Sequence, residues 1–391
     1  MKTQVIIVLC LAFGIIASTE AQNADTLMKL VLEQNRELRV AREAYHVSIL
    51  EAGTGNTPPD PEVEFGYLFG KPTELGHRID FGITQHLDFP TAYIHQNRVK
   101  KILSSRAELE YVLVRQEVLL RARQLWIEQI HLNQLKELLS ERVHRAKTIQ
   151  AHVQNMMDAG EVGLLEYNQA HLMVASLNGE FDEVHSHLEQ NRIALLEITG
   201  GTQVRINDTL LPQPVQVIPD SLLEAYRLGP YTQLHQQGLQ LKEEEKNLAV
   251  SNHLPKLSAG YFSEAVTNEA FRGFRLGISV PLWENANTVK LARSEVARAE
   301  AQVDRYTYQQ EKEVLQKLNK LEALSLRVYK LEEALGSANS LALLALAMKN
   351  GEISLSEYFY TSDFYFRHQQ QLLRYKRDLL VQEADLLKVY L

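Results

Sequence analysis

The sequence predicts a mainly α-helical chain with a small transmembrane β part. Long antiparallel coiled-coil helices would carry four β-strands per chain, which contribute to an oligomeric β-barrel, and the whole plan occurs as an internal two-fold repeat. Three observations predict this. Apolar stripes at helical spacing run for dozens of residues without proline, four short segments alternate apolar and polar residues with their charges segregated, and the same order of elements appears twice.

The first element is a processing signal. Lys2 precedes an apolar run from Val5 to Ala17, followed by the small and polar Ser18-Thr19-Glu20-Ala21. This layout predicts a cleaved signal peptide over 1–21, because the run is shorter than the roughly 18 to 20 residues a spanning helix needs. The single cysteine, Cys10, lies inside that segment, so disulfides and thiolate metal sites are not expected beyond it. Cys10 is also too far upstream of the cleavage site for a lipoprotein. A net charge of -8 argues against a nucleic-acid partner, and no later apolar run is long enough for a membrane helix.

The repeat comes next. Gly66-Tyr67 recurs as Gly260-Tyr261, Phe81-Gly82-Ile83-Thr84 as Leu276-Gly277-Ile278-Ser279, and Gly160-Glu161-Val162-Gly163-Leu164-Leu165-Glu166-Tyr167 as Gly351-Glu352-Ile353-Ser354-Leu355-Ser356-Glu357-Tyr358. The offsets are all roughly 191 to 195 residues. The first repeat is 22–205, with a helix from about Asp25 to Ala52, a strand pair at 62–87 and a long helical hairpin at 91–200. The second is 206–391, with a helix from about Asp220 to Ser251, a strand pair at 256–282 and a hairpin at 285–391. The opening helices end before Pro58-Pro59-Asp60-Pro61 and Pro255, since proline cannot continue them. Thr199-Gly200-Gly201 closes the first hairpin, and Leu211-Pro212-Gln213-Pro214 marks an extended connector.

Within the hairpins, about Thr91 to Met157 and about Asn285 to Met348 lack proline. A stripe of Val314, Leu318, Leu321, Leu324, Val328, Leu331 and Leu335 marks the second. At 1.5 Å per residue each helix would reach on the order of 100 Å. The return helices carry Tyr167, Ala170, Val174, Leu177, Phe181, Val184 and Leu188, and Leu372, Tyr375, Leu379, Gln382, Leu386 and Val389. Such sustained spacing means helix against helix in coiled-coil fashion, and taken alone it would fit an ordinary bundle equally well.

The strands decide between these. Val63, Phe65, Tyr67 and Phe69 alternate with Glu62, Glu64 and Gly66; Ile79, Phe81 and Ile83 with Arg78, Asp80, Gly82 and Thr84. Leu257, Ala259 and Tyr261 alternate with Lys256, Ser258 and Gly260, and Phe274, Leu276, Ile278 and Val280 with Gly273, Arg275, Gly277 and Ser279. The lengths approach the roughly 9 to 11 residues that cross a bilayer, and aromatic residues (Phe69, Tyr261, Phe271, Trp283) are expected near the ends. The predicted lipid-facing set is therefore Val63, Phe65, Tyr67, Ile79, Phe81, Ile83, Leu257, Tyr261, Leu276 and Ile278. Open strand edges cannot stay in hydrocarbon, and four strands are too few to close a barrel, so the chain must oligomerise as a dimer or a trimer.

In these features, together with the strand exits Gln85-His86-Leu87-Asp88-Phe89-Pro90 and Val280-Pro281-Leu282-Trp283 and the helix end Glu197-Ile198-Thr199-Gly200, the chain resembles the TolC-type outer membrane efflux protein family. The resemblance covers nearly the whole mature chain. It implies a homotrimer in outer membrane lipid, a single twelve-stranded β-barrel, and a periplasmic α-barrel. The same resemblance implies docking to a periplasmic adaptor protein and an inner-membrane efflux pump, with passive conduction of efflux or type I secretion cargo. Gly160, Val162, Gly163 and Leu164, and Gly351, Ile353, Ser354 and Leu355, would then be adaptor-docking tips. Asp158, Glu161, Lys349 and Glu352 are candidate aperture charges from their place beside those turns. The chain departs from the family in its brief barrel loops and short connector after Gly200, which implies a reduced equatorial collar.

No catalytic, cofactor or metal site is expected. His185 and His187 diverge on a helix, His144 and His152 are too far apart to share an ion, and no phosphate loop, zinc-protease spacing or nucleophile elbow is present. The competing classes are a periplasmic coiled-coil adaptor, which would lack the duplicated strand pairs, and a coiled-coil scaffold, which would lack a barrel.

Overall fold

The computed structural model describes residues 24–391 apart from 73–75, 267–268 and 337–339. The predicted signal peptide, 1–21, lies outside the described residues. Helices α1 (24–34) and α2 (Arg36–Gly53) precede strands β1 (Glu62–Phe69) and β2 (His77–Leu87), and α3 (Pro90–Asp158) and α4 (Leu164–Ile198) form the first hairpin. Helices α5 (Pro219–Arg227) and α6 (Pro230–Ser251) then lead into β3 (Lys256–Val266) and β4 (Glu269–Ser279). They are followed by α7 (Thr288–Gly336), α8 (Ser340–Lys349), α9 (Leu355–Leu386) and a 3-10 turn at Leu387–Tyr390.

Both opening helices are broken where the sequence predicts continuity. At the first break, Leu38 N–H donates to Asn35 Oδ1 (2.9 Å) while Asn35 Nδ2 donates to the Ile198 carbonyl (2.8 Å), so a buried side chain caps α2 and competes with the helical ladder. At the second, Gly229 is extended and Pro230 opens α6, where its missing N–H costs nothing.

The chain forms two compact units, and each takes residues from both repeats. One unit comprises residues up to Val40, Val114–Ala225 and Glu311–Leu391. Its core gathers Leu27, Val31, Leu38, Val118, Leu119, Trp126, Ile127, Ile130, Leu195, Ile198, Leu380 and Ala384. The predicted stripes pack as expected from their spacing: Val174 and Leu177 of α4 meet Val143 and Ala146 of α3, and Leu324 and Val328 of α7 meet Leu379 of α9. The amide of Val215, an exposed connector residue, donates to the carboxylate of buried Glu383, whose pKa is pushed up by burial.

The second unit comprises Ala41–Leu113 and Tyr226–Gln310. Helix α6 is joined to the α3 segment of this unit by His95 and Glu244 (2.8 Å), Gln237 and Ser105 (2.9 Å), and Arg106 with the Leu234 carbonyl (3.0 Å). It is joined to α7 by Lys242 and Glu295 (3.5 Å) and by Thr232 and Gln310 (2.6 Å). The hydrophobic residues buried here, among the described residues, are Ala92, Ala107, Ala292 and Ala299.

The four strands form one antiparallel sheet in chain order, and among the described residues the outer edges of β1 and β4 have no strand partner. The first strand pair ends at Leu87 as predicted, whereas β3 runs on to Val266 and β4 begins at Glu269 rather than Gly273.

Sheet faces and hairpin tips as the candidate functional site

Register decides whether the alternation in each strand adds up to a face. Val63 pairs with Ile83, Phe65 with Phe81 and Tyr67 with Ile79; Ile83 pairs in turn with Tyr261, and Tyr261 with Phe274; Leu257 pairs with Ile278 and Ala259 with Leu276. All ten residues predicted to meet lipid therefore share one surface. Ile79 is half-buried, and the other nine are exposed, Phe65 at 72% and Leu276 at 82%. A continuous apolar face of this extent, left uncovered within the chain, is the mark of an interaction surface rather than of scattered exposed residues.

Two details differ from the sequence reading. Tyr261 lies in the middle of β3 rather than near an end, and Phe271 pairs with Glu264 on the opposite face. The early start of β4 also places Arg272, opposite Ser263, on the same face as Phe274, so segregation of charge holds for the predicted segments but not for that added turn of strand.

The second face is polar. Arg78 pairs with Asp80 (2.8 Å) and Glu264 (3.2 Å), and His86 lies 3.5 Å from Glu62. Leu68, Phe271 and Phe262 are the large apolar exceptions on it, and Phe262 is the one that packs against a cation. Its ring lies under the Arg275 guanidinium, 3.8 Å from the centroid, and over Gly82. The sequence reading missed it; the signal available was an aromatic residue at a polar parity, in register with glycines on both sides.

The two hairpin turns share a backbone geometry. Gly160 and Gly351 take φ of 74° and 73°. Glu161 N–H reaches the Met156 carbonyl (2.8 Å) and Glu352 N–H the Ala347 carbonyl (2.9 Å), the six-to-one bond that closes a helix through a left-handed residue. The following caps differ. Gly163 N–H donates to Glu166 (3.2 Å), whereas Ser354 Oγ accepts from Glu357 N–H (3.2 Å). Leu164 is exposed and Val162 half-buried at the first tip; Ile353 and Leu355 are both half-buried at the second. Ser356 of α9 donates to Gln169 of α4 (2.8 Å), tying the two return helices just beyond their caps.

Of the candidate aperture charges, Asp158 accepts from Gln154 (2.9 Å), and Glu161 and Glu352 are exposed. The side chain of Lys349 lies outside the described residues. Sequence reasoning passed over a more enclosed charge, Arg142 of α3, whose side chain is 5% exposed and pairs with Glu180 of α4 and with Asp363 of α9. It also faces the Phe366 ring at 5.1 Å. Its position between Leu139 and Ala146 in an apolar stripe was the legible signal.

Among the described residues, no group of three or more histidine, cysteine, aspartate or glutamate side chains could hold a metal ion, and no helix is long and apolar enough to cross a membrane.

No family model matches the sequence, and no curated protein matches it. Solved structures do. CusC, described as forming a transmembrane channel, superposes with a TM-score of 0.79 at 17% identity, over 94% of this chain and 92% of that one. This chain has the TolC-type fold. The Campylobacter jejuni CmeC outer membrane channel gives 0.77 at 17% identity over 94% and 85%, and the Vibrio cholerae outer membrane protein VceC gives 0.79 at 14% over 94% and 96%. In the TolC-type fold of this chain, helices and a small antiparallel sheet coexist as the strand and stripe patterns predicted.

Proposed function

We propose that the chain is an outer-membrane efflux channel subunit, the passive exit duct of a tripartite efflux or type I secretion system. The carrying observation is the sheet: one side is a continuous exposed apolar surface, the other is mainly polar, and among the described residues both outer edges lack a partner strand. In hydrocarbon those edges must be sealed, and β4 of one copy against β1 of the next does so without new elements. Three copies would give the twelve strands of a barrel with the polar face lining its lumen. The neighbours' description as outer membrane channels supports this reading.

On the same reading, 1–21 is a cleaved signal peptide and the two repeats are duplicated halves, supported by the matched turns at Gly160 and Gly351. Gly160, Val162, Gly163 and Leu164, with Gly351, Ile353, Ser354 and Leu355, form the surface that meets a periplasmic adaptor, which couples the duct to an inner-membrane pump. Asp158, Glu161, Lys349 and Glu352 set the charge of the aperture.

Because Cys10 is the single cysteine, engineered cysteines on β1 and β4 have no competing thiol in the processed chain. Such variants should form inter-chain disulfides that hold the trimer together on gels until a reductant is added, and should conduct ions in planar bilayers. A freely soluble monomer that neither cross-links nor opens channels would refute the reading.

A further inference from the structure

The polar face of the sheet holds one buried contact that none of its charges explains. Gly82 of β2 and Phe262 of β3 are paired in register, and a Cβ added at Gly82 would stand 2.8 Å from Cε1 of that ring. A Cβ added at Gly273, the β4 partner of Phe262, would meet nothing within 4 Å, so the ring leans onto β2. Covering a strand glycine with a neighbouring aromatic ring restores the packing that glycine lacks. Arg275 completes the stack from above, its guanidinium 3.8 Å from the ring centroid.

The surrounding charges make the stack distinctive. Arg78 is neutralised by Asp80 and Glu264, and Lys256 lies 3.4 Å from Glu284, but among the described residues Arg275 has no carboxylate partner. A cation held by a ring keeps its field, whereas one held by a carboxylate does not. Elsewhere this face carries Glu62, Glu64, Asp80 and Glu264.

We propose that Phe262 and Arg275 together form a passage filter in the channel lumen. The ring sets the width at its level, and the guanidinium provides the point of an acidic wall that attracts anions. The proposal rests on the barrel reading above, since only closure of the sheet turns its polar face into a lumen. Each chain would contribute one stack at the same level, giving a ring of positive charge.

The test uses the assembled channel in planar bilayers of phosphatidylethanolamine and phosphatidylglycerol under a potassium chloride gradient. Phe262→Ala should raise single-channel conductance. Arg275→Gln should shift the reversal potential toward that of potassium, and Arg275→Lys should restore part of the shift. Gly82→Ala should push the ring into the passage and lower conductance, and should have no such effect when Phe262 is already alanine. Gly82→Ala crowds a strand, so the decision rests on Phe262→Ala and Arg275→Gln, which add no bulk. Wild-type conductance and reversal potential in both would overturn the filter while leaving the channel intact. If the unmodified protein opens no channels, the barrel reading itself fails and the filter with it.

Discussion

The two compact units of this chain solve the problem of burial in opposite ways. The unit containing the hairpin turns buries large side chains, among them Trp126, Ile127, Ile130 and Leu177, in the manner of a soluble core. The unit containing the sheet buries only alanines among its described hydrophobic residues and leaves Phe65, Phe274, Leu276 and Trp283 exposed. Its helices approach through small residues and ion pairs, and its apolar mass is directed outward. Such a unit gains little of its stability from its own interior; on the proposed reading, lipid and neighbouring copies supply the rest.

Substitutions can break or sharpen this contrast. Trp126→Ala should cost about 3–5 kcal/mol, read as a lowered unfolding temperature, because it empties a packed site. Leu276→Arg should leave that core unaffected yet disfavour membrane assembly by about 2–4 kcal/mol, measured as the loss of heat-resistant oligomer in lipid. Ala107→Leu inverts the first experiment. Overpacking a close contact should cost about 1–3 kcal/mol by thermal denaturation, whereas the equivalent enlargement on the exposed sheet face should be neutral. At the second hairpin tip, Ser354→Ala should cost about 1 kcal/mol through loss of the cap to Glu357 N–H, and Ser354→Gly, which mimics Gly163 of the first tip, only a few tenths.

The smallest effect at neutral pH should come from His131, whose pKa is lowered to about 4, chiefly by burial in the large-residue core. Burial is the largest influence and lowers the pKa; Glu128 and Asp378 pull it upward, and Arg377 and Arg374 push it down. Between about pH 6.5 and 4 the unfolded chain binds the proton and the folded one does not, so stability falls as pH drops through that window. His131→Gln should remove this slope, which urea titrations at several pH values will reveal. An unchanged slope would mean that another group carries it.

Much of this was legible beforehand because periodicity reports burial directly. The stripes through Val174 and Leu177, and through Leu324, Val328 and Leu379, pack as their three-and-four spacing requires. Likewise, Gly160 and Gly351 at equivalent places in two copies demanded the left-handed turns they make. Less was legible where one side chain reaches a distant partner. The capping of α2 by Asn35 depends on the Ile198 carbonyl, and the enclosure of Arg142 depends on Glu180, Asp363 and Phe366. Linear spacing cannot carry such information, although the break at Gly229-Pro230 was written in the chain, inside the stretch read as one helix from about Asp220 to Ser251.

The sequence by itself determined the kinds of element, their duplicated order and the two chemical faces of every strand, because alternation and helical spacing are properties of a local backbone. Only the tertiary structure decided that the four apolar parities coincide in register as one surface, that Phe262 rests on Gly82 beneath Arg275, and that large side chains are buried in one unit and displayed in the other. The physical reason is that pairing register and long-range packing bring together residues far apart in sequence, and a one-residue slip in register would send every strand side chain to the opposite face.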